Sequence, residues 1–547
     1  GFESEGWTRS SDLSTLTYLD APDASFIKTL NGIRLTETAD NPNAMAFGVE
    51  IHSTGRRYVA ENGTYIHSVL YGPRTSIDGD IATISHGTAV HSQVMGGRTS
   101  RKSWTVLGSA RFSLILGAFS DDGEDGEDGY GYGSGWEHAY CMYGSSSYGF
   151  TYCGRHVWYA GSIQRYTSGE DGGDGGDGSD VIGLFSYSGP EYVNIGNYIT
   201  GGRAGAGGNG GNGQDGRDGD CDLNKLAASG GDGGNAGVNG TWTGSTGGLQ
   251  AHQTIVAYDQ FVGKATHGVG GSRGAKDYGS VDGGRCYDRL YYGVYDETSG
   301  TADGEDGLQT EPAQLYGVQA IMTSIINDSD ITLIGESDPG KAQFTGAEVA
   351  EAHRTNVTVD LAASPANCSA VDVETAITGS VVHVGGDCDQ AVFTGSDTRV
   401  FNNTVVTDGI GTGIVAEGTS WVANNLVHAT GSGPCMELNG STVGMLANNL
   451  FSGCDEKLIY DTSVDALRTS ILAVNFLSAT HGDGGNIMAD PSFEDLSDGG
   501  FALGSGSPAI DAGYDLSAAD YGPTHDIDWN ECPTGVAYDI GAHEYQD

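Results

Sequence analysis

Positive charge is scarce in this chain. Lys and Arg number 25 against 72 Asp and Glu, a formal net charge of −47 over 547 residues. So few bases cannot neutralise a phosphate backbone, which excludes a nucleic-acid binder. So acidic a surface does not adhere to anionic lipid either; it suits a soluble secreted protein or one that recruits divalent cations. Long apolar runs are missing too: no stretch approaches the ~20 residues of a membrane-spanning helix, so no membrane span is expected. The nine cysteines include no CxxC spacing, which argues against a zinc ribbon or a thioredoxin-type site. No GxSxG, HExxH or P-loop pattern occurs. The first residue is Gly rather than Met, without a basic-then-apolar leader, as expected of the mature part of a secreted chain.

Glycine is abundant, at 91 residues. Much of it falls in five Gly-X-Y tracts: GEDGEDG (123–129), GEDGGDGGDG (169–178), GGNGGNGQDGRDG (207–219), GGDGGNAGVNG (230–240) and GEDG (304–307). Three readings are open. A collagen helix needs three chains and is normally stiffened by imino acids, and these tracts contain no proline. A polyglycine II bundle sets three-fold helices side by side, with glycine allowing close approach and backbone groups bonding between helices. Calcium-bound loops are the third. At ~3.1 Å per residue, Asp171, Asp174, Asp177 and Asp180 fall on one ridge ~9 Å apart, too far apart to share one Ca²⁺. A structural Ca²⁺ site therefore needs two arms, with Asp125, Asp128, Asp171, Asp174, Asp177, Asp215 and Asp218 as candidate ligands; otherwise these acids solvate an exposed face.

The second half shows a repeat. FNNTVV (401–406), ANNLVH (423–428), ANNLFS (447–452) and VNFLSA (474–479) align on Asn at steps of 22, 24 and about 26 residues. Short β-branched runs broken by turn residues at that period describe a solenoid. Without leucine-rich spacing, the expected fold class is all-β, a parallel β-helix solenoid with ordered Gly-X-Y insertions. Asn at equivalent turns would stack into a structural ladder. AEVAEAHR (347–354) reads as a short helix. The expected organisation is residues 1–115 as an N-terminal β region with the first coils, 116–310 as coils carrying insertions, 311–480 as regular coils and 481–547 as a cap.

That last region carries DPSFEDLSDGGFALGSGSPAIDAG (490–513) and YDIGAHEY (538–545). The phrase resembles the end of secreted bacterial right-handed parallel β-helix proteins of the pectate-lyase-like superfamily, especially surface-anchored members. The resemblance covers roughly residues 395–547. It implies a fold, a secreted or cell-surface location and a cap over the last coil, but no activity. The Gly-X-Y chemistry is similar to that of small glycine-rich arthropod antifreeze proteins and the glycine-rich tips of some phage adhesins, in repeat alone.

Cysteine spacing fits the coils. Cys368 to Cys388 is 20 residues and Cys435 to Cys454 is 19, so each pair can join neighbouring rungs. Cys141 with Cys153 and Cys221 with Cys286 would complete a disulfide set, leaving Cys532 over. Disulfides imply an oxidising compartment. His86 and His91 fall on opposite faces of a strand and are no metal pair; His52 and His67 are candidates for adjacent coils.

Aromatics cluster around the insertions, with Tyr130, Tyr132, Trp136, Tyr140, Tyr143 and Trp158 in one group and Tyr291 and Tyr292 in another. With Gly and Ser they suit an adaptable contact surface, for a glycan, a cell surface or another copy of the chain. The expectation is an extracellular structural or adhesive protein that self-associates, even into a filament. A polysaccharide lyase or hydrolase is the alternative, and ice or surface binding a second one.

Overall fold

The structure is a computed structural model. It describes residues 64–72, 87–99, 103–129, 171–186, 193–200, 204–213, 232–261, 307, 313–320, 324–335, 342–361 and 367–546, with short breaks, together with the backbone of several strands outside these ranges.

The fold is an all-β parallel solenoid, as expected. Three sheets run along it. The first stacks Val181–Ser186, Trp242–Gly247, Ala313–Ala320, Ala342–His353, Asn367–Thr378, Gln390–Thr394, Thr412–Glu417, Met436–Asn439 and Ile459–Asp461. The second runs from Thr64–Ile66 through Thr88–Val90, Ser109–Arg111, Val193–Ile195, Gln250–His252 and Ile325–Asn327 to Met445–Ala447. The third includes Val69–Tyr71, Gln93–Met95, Leu114–Leu116, Tyr198–Thr200, Asn356–Leu361, Val381–Gly385, Thr404–Thr407, Leu426–Ala429 and Leu450–Ser452. Alternate positions point inward. Along the third sheet Val94, Ile115, Ile199, Ile331, Val357, Val382, Val405 and Val427 are each 0 or 1% exposed. Branched residues pack well in such rows because each stacks on its equivalent one coil away.

One corner recurs along the described coils. Between the second and third sheets a residue with positive φ precedes a buried polar one. His67, His91, Phe112, Gln253, Asp328, Arg354, Asn402, Asn424 and Asn448 take φ of 45 to 58°, and Gly196 and Gly379 take 61 and 57°. The next residue is polar, and its main-chain N–H donates to the polar side chain one coil on: Ser68 to Ser92, Ser92 to Ser113, Ser113 to Asn197, Thr254 to Ser329, Thr355 to Ser380 and Ser380 to Asn403. The Asn ladder continues it, the side-chain amides of Asn403, Asn425 and Asn449 donating to Oδ1 of Asn425, Asn449 and Asn486 at 2.9–3.0 Å. Among the described residues the ladder thus runs from Ser68 to Asn486, and the Asn repeat is its C-terminal part.

Two local expectations are corrected. AEVAEAHR is no helix; it belongs to strand Ala342–His353, which pairs in parallel with a neighbour on each side. A register shift between Val349 and Glu351 lets one strand serve the first sheet and then the second. Ala and Glu favour a helix only weakly, and two flanking ladders outweigh that preference. Conversely, VNFLSA is no strand and turn: it lies in the helix Ile471–Ala479. Its Asn475 still ends the ladder, accepting from Asn486 Nδ2 at 3.1 Å.

That helix closes the stack, with Val474 fully buried and Ile471 and Leu477 packed on the core. The segment expected to cap the last coil lies along the flank of the solenoid instead. Leu516 and Tyr538 pack on Phe401, Ala423 and Met445; Leu503, Ala509 and Ile540 pack on Leu426 and Leu450. The positive-φ corner anchors it: Asn402 Nδ2 donates to Asp539 O, Asn424 Nδ2 to Tyr514 O and Asn448 Nδ2 to Ala512 O. Further back, the Arg354 guanidinium, paired with Asp328, sits 4.6 Å from the Trp529 ring centre.

Disulfides Cys368–Cys388 and Cys435–Cys454 join neighbouring coils, with Cα atoms 4.8 and 5.5 Å apart. Cys532 is a free thiol, as the count left it. Cys141–Cys153 and Cys221–Cys286 lie outside the residues whose side chains are described. His67 stacks on His91 at 5.2 Å and His91 on Phe112 at 5.1 Å, so adjacent-coil His stacking occurs between His67 and His91.

Candidate functional site: the glycine-rich arms

The described Gly-X-Y stretches leave the solenoid between its third and first sheets. Residues 121–129 follow strand Leu114–Leu116, and residues 171–180 lead back into Val181–Ser186. One coil later residues 204–213 follow Tyr198–Thr200 and residues 232–241 lead into Trp242–Gly247. We number these four stretches arms one to four in chain order. Each has the length to extend roughly 28 Å at ~3.1 Å per residue.

The arms bond to one another through glycine amides. Gly173 and Gly176 of arm two donate to Glu127 O and Glu124 O of arm one, an antiparallel pairing. Gly205, Gly208 and Gly211 of arm three donate to Ser179, Gly176 and Gly173 O of arm two; Gly234, Gly237 and Gly240 of arm four donate to Gly211, Gly208 and Gly205 O of arm three. Parallel contacts complete the lattice. Gly123, Gly126 and Gly129 donate to Ala206, Asn209 and Asn212 O, and Gly172, Gly175 and Gly178 to Asp232, Asn235 and Val238 O, all at 2.7–2.8 Å. Order without an apolar core is thereby explained: a dense set of backbone bonds offsets glycine's large entropy loss.

Sterics explain why these positions are glycine. A Cβ on Gly123 would fall 1.8 Å from Gly176 O, on Gly126 1.9 Å from Gly173 O, on Gly210 1.9 Å from Gly234 O and on Gly237 1.9 Å from Gly176 O. Arms two and three each bond to three other arms and carry glycine at two of every three positions in GGDGGDG and GGNGGNG; arm one bonds to two and carries it at one. Gly307 of the fifth tract meets Gly234 O in the same way, at 1.9 Å.

The acids have a defined place in this lattice. Asp171, Asp174, Asp177 and Asp180 accept the N–H of residues 232, 235, 238 and 241 through Oδ1 at 2.7–2.9 Å. Asp122, Asp125 and Asp128 do the same for residues 206, 209 and 212. The offset of 61 residues in the first series is also that of Val181 from its first-sheet partner Trp242. The arms therefore keep the register of the coils from which they grow. The sequence reading placed acids between arms and missed that their partners are main-chain amides, because an amide leaves no signature in a side-chain pattern.

Among the described residues, one group of three potential ligands brings its atoms within 4.8 Å, and it lies in the C-terminal segment: Asp526, Asp528 and His543. Asp526 is 2% exposed, and its oxygens accept from the amides of Asp528, Asn530 and Glu544 and from Asn530 Nδ2. That group is a turn lock. Asp125, Asp128, Asp171, Asp174 and Asp177 are exposed on the arms, and Asp215 and Asp218 lie outside the described residues.

Beyond arm one the chain forms a hairpin, Tyr132–Cys141 antiparallel to Trp158–Gly169, which leads into arm two. Tyr132, Trp136, Tyr140 and Trp158 fall on its paired strands. Tyr130, Tyr143, Tyr291 and Tyr292 lie outside the described residues, although Arg285–Tyr287 and Val294–Asp296 pair antiparallel around the second aromatic cluster.

One further site lies on the outer face of the first sheet. Glu348 and Asp372 are register partners on adjacent coils. Burial pushes Asp372 up to about 6, opposed by the hydrogen bond from Ser369 and reinforced by Glu348. Burial also raises the nearby Tyr316 phenol, with both acids adding to the effect.

No family model matches the chain, and no curated protein matches it in sequence.

Proposed function

We propose that this chain is an extracellular structural or adhesive protein in which a β-solenoid supports a polyglycine II bundle. The bundle carries aromatic hairpins beyond the body of the solenoid. The observation behind this reading is the lattice of glycine amides joining four arms in the register of their coils. Such a lattice serves no chemistry at its own atoms but makes a stiff mount out of small residues. The hairpin strands bearing Trp136, Tyr140 and Trp158 then form the contact surface, for a glycan, a cell surface or a second copy. The two disulfides and the acidic composition support a secreted location, consistent with the resemblance to surface-anchored proteins of the pectate-lyase-like superfamily. The test is light scattering of the full chain beside Trp136→Ala/Tyr140→Ala. Self-association that the double variant reduces supports the hairpin contact; a monodisperse monomer at all concentrations removes self-association.

A second reading rests on Glu348 and Asp372. Two carboxylates on adjacent rungs, one kept partly protonated near neutral pH, are the elements of acid and base in glycoside hydrolysis. Polysaccharide cleavage abolished by both Glu348→Gln and Asp372→Asn would establish it.

A further inference from the structure

The helix Ile471–Ala479 closes the C-terminal end of the coil stack with one side only. Val474 is fully buried, with Ile471 and Leu477 packed on the core beside it. These three lie at i, i+3 and i+6, on one side of the helix. The opposite side carries Leu472 and Phe476, one turn apart and 79 and 76% exposed. The helix has no charged residue. A helix apolar on all sides belongs in an interior, and here half of it lies open. The preceding hairpin, Ile459–Asp461 antiparallel to Ala466–Arg468, adds Val464 and Leu467, 60 and 44% exposed. Among the described residues no further strand pairs with Ala466–Arg468, so the first sheet ends there on an open edge.

Charge selects the occupant. At a net charge of −47, copies of this chain repel one another over most of their surface. A basic partner is drawn to the acidic arms, not to a helix without charge. The acids of the neighbouring hairpin are already engaged, Asp461 with Arg468 at 3.7 Å and Asp465 with the Tyr460 hydroxyl at 2.8 Å. This end is therefore where two copies can meet apolar face to apolar face at little electrostatic cost. The four side chains expose on the order of 500 Å², more than half of the ~800 Å² that one partner gives to a standard interface. Symmetry fits as well: a strand edge that meets its own copy across a two-fold axis does so antiparallel, and such a contact closes on itself. We propose that two copies dock end to end across a two-fold axis. Leu472 and Phe476 of each pack on the helix of the other, and the first sheets meet at Ala466–Arg468. The product is a closed dimer, with the coils that carry the arms away from the contact. The inference does not depend on what the arms bind.

The test is analytical ultracentrifugation of the full chain from about 1 to 100 µM, with small-angle X-ray scattering at the highest concentration. The parent is expected to form a dimer whose maximum dimension is roughly twice that of the monomer. Leu472→Lys/Phe476→Lys should weaken the dimer at least about 100-fold, and Leu472→Ala/Phe476→Ala at least about tenfold. Both pairs change exposed side chains, and the alanine pair keeps good helix formers, so circular dichroism should match that of the parent. Trp136→Ala/Tyr140→Ala, which removes the hairpin contact, should still form this dimer and stop there. Raising NaCl to about 0.5 M should tighten it, because screening removes the repulsion between acidic copies and leaves the apolar contact. The proposal is overturned if the parent stays monomeric at about 100 µM in 0.5 M NaCl, or if both helix variants dimerise as the parent does. A dimer no longer than the monomer, or growth of Trp136→Ala/Tyr140→Ala beyond a dimer, overturns it too.

Discussion

At the scale of single residues the arms make a sharp distinction between glycines. A methyl group on Gly126 would collide with Gly173 O at 1.9 Å, whereas one on Gly173 would sit 3.2 Å from Glu127 N. Backbone on both sides cannot yield in the first case and yields by a few tenths of an ångström in the second. Gly126→Ala is therefore expected to cost the bundle about 3 kcal/mol or to displace arm one, and Gly173→Ala to stay within about 1 kcal/mol. Limited proteolysis across residues 121–129 and 171–180 reads both. The polar ladder makes a second prediction. Asn425 accepts from Asn403 and donates to Val400 O and Asn449 Oδ1, all buried. Asn425→Ala leaves those groups unpaired and is expected to cost about 3 kcal/mol in urea unfolding; an effect below about 0.5 kcal/mol contradicts the ladder's structural role. The Asn half of this ladder was legible because Asn-Asn pairs recur at coil period. The Ser and Thr half was not, since a lone Ser68, Ser92 or Ser329 before a strand looks like any turn residue.

At the scale of elements, the strands were legible from β-branched runs and the coil from its period, whereas the two helix assignments were inverted. AEVAEAHR carries helix-forming residues, but its neighbours on both sides are parallel strands; ILAVNFLSA was hidden because its Asn fell near the expected repeat position. The C-terminal segment was recognisable from its phrase, yet its place along the flank depends on contacts with coils more than a hundred residues earlier, such as Asn402 to Asp539. That segment should also be sensitive to pH. Burial raises Glu544 to about 7 and raises Asp539, with neighbouring acids adding to both shifts. An acid whose folded pKa is raised favours the docked state below its unfolded pKa, and that contribution is lost as pH rises through the folded value. Asp528, held low by its bond to His543, acts oppositely and only in the acid range. Hydrogen exchange over residues 523–545 is expected to be slower at pH 5 than at pH 8 after correction for the intrinsic rate. The same or faster exchange at pH 5 would contradict the assignment.

At the scale of the whole molecule the solenoid sets the register and the arms extend it sideways. The offset that relates Val181 to Trp242 also relates Asp171 to residue 232, so the arms depend on the coil spacing. The tracts were visible in the sequence as glycine periodicity, and their pairing followed only from knowing which coils stack. Because the arm carboxylates already accept main-chain amides, the bundle should need no Ca²⁺. Chelation with EDTA is expected to leave Tm unchanged, and a fall of several degrees would restore calcium as a structural component. The lattice of glycine amides itself is tested most directly by hydrogen exchange over residues 171–180 and 204–213 in the full chain. Protection of Gly173, Gly176, Gly208 and Gly211 comparable with that of the solenoid strands is the predicted result; exchange at the rate of an unstructured glycine-rich coil would contradict it.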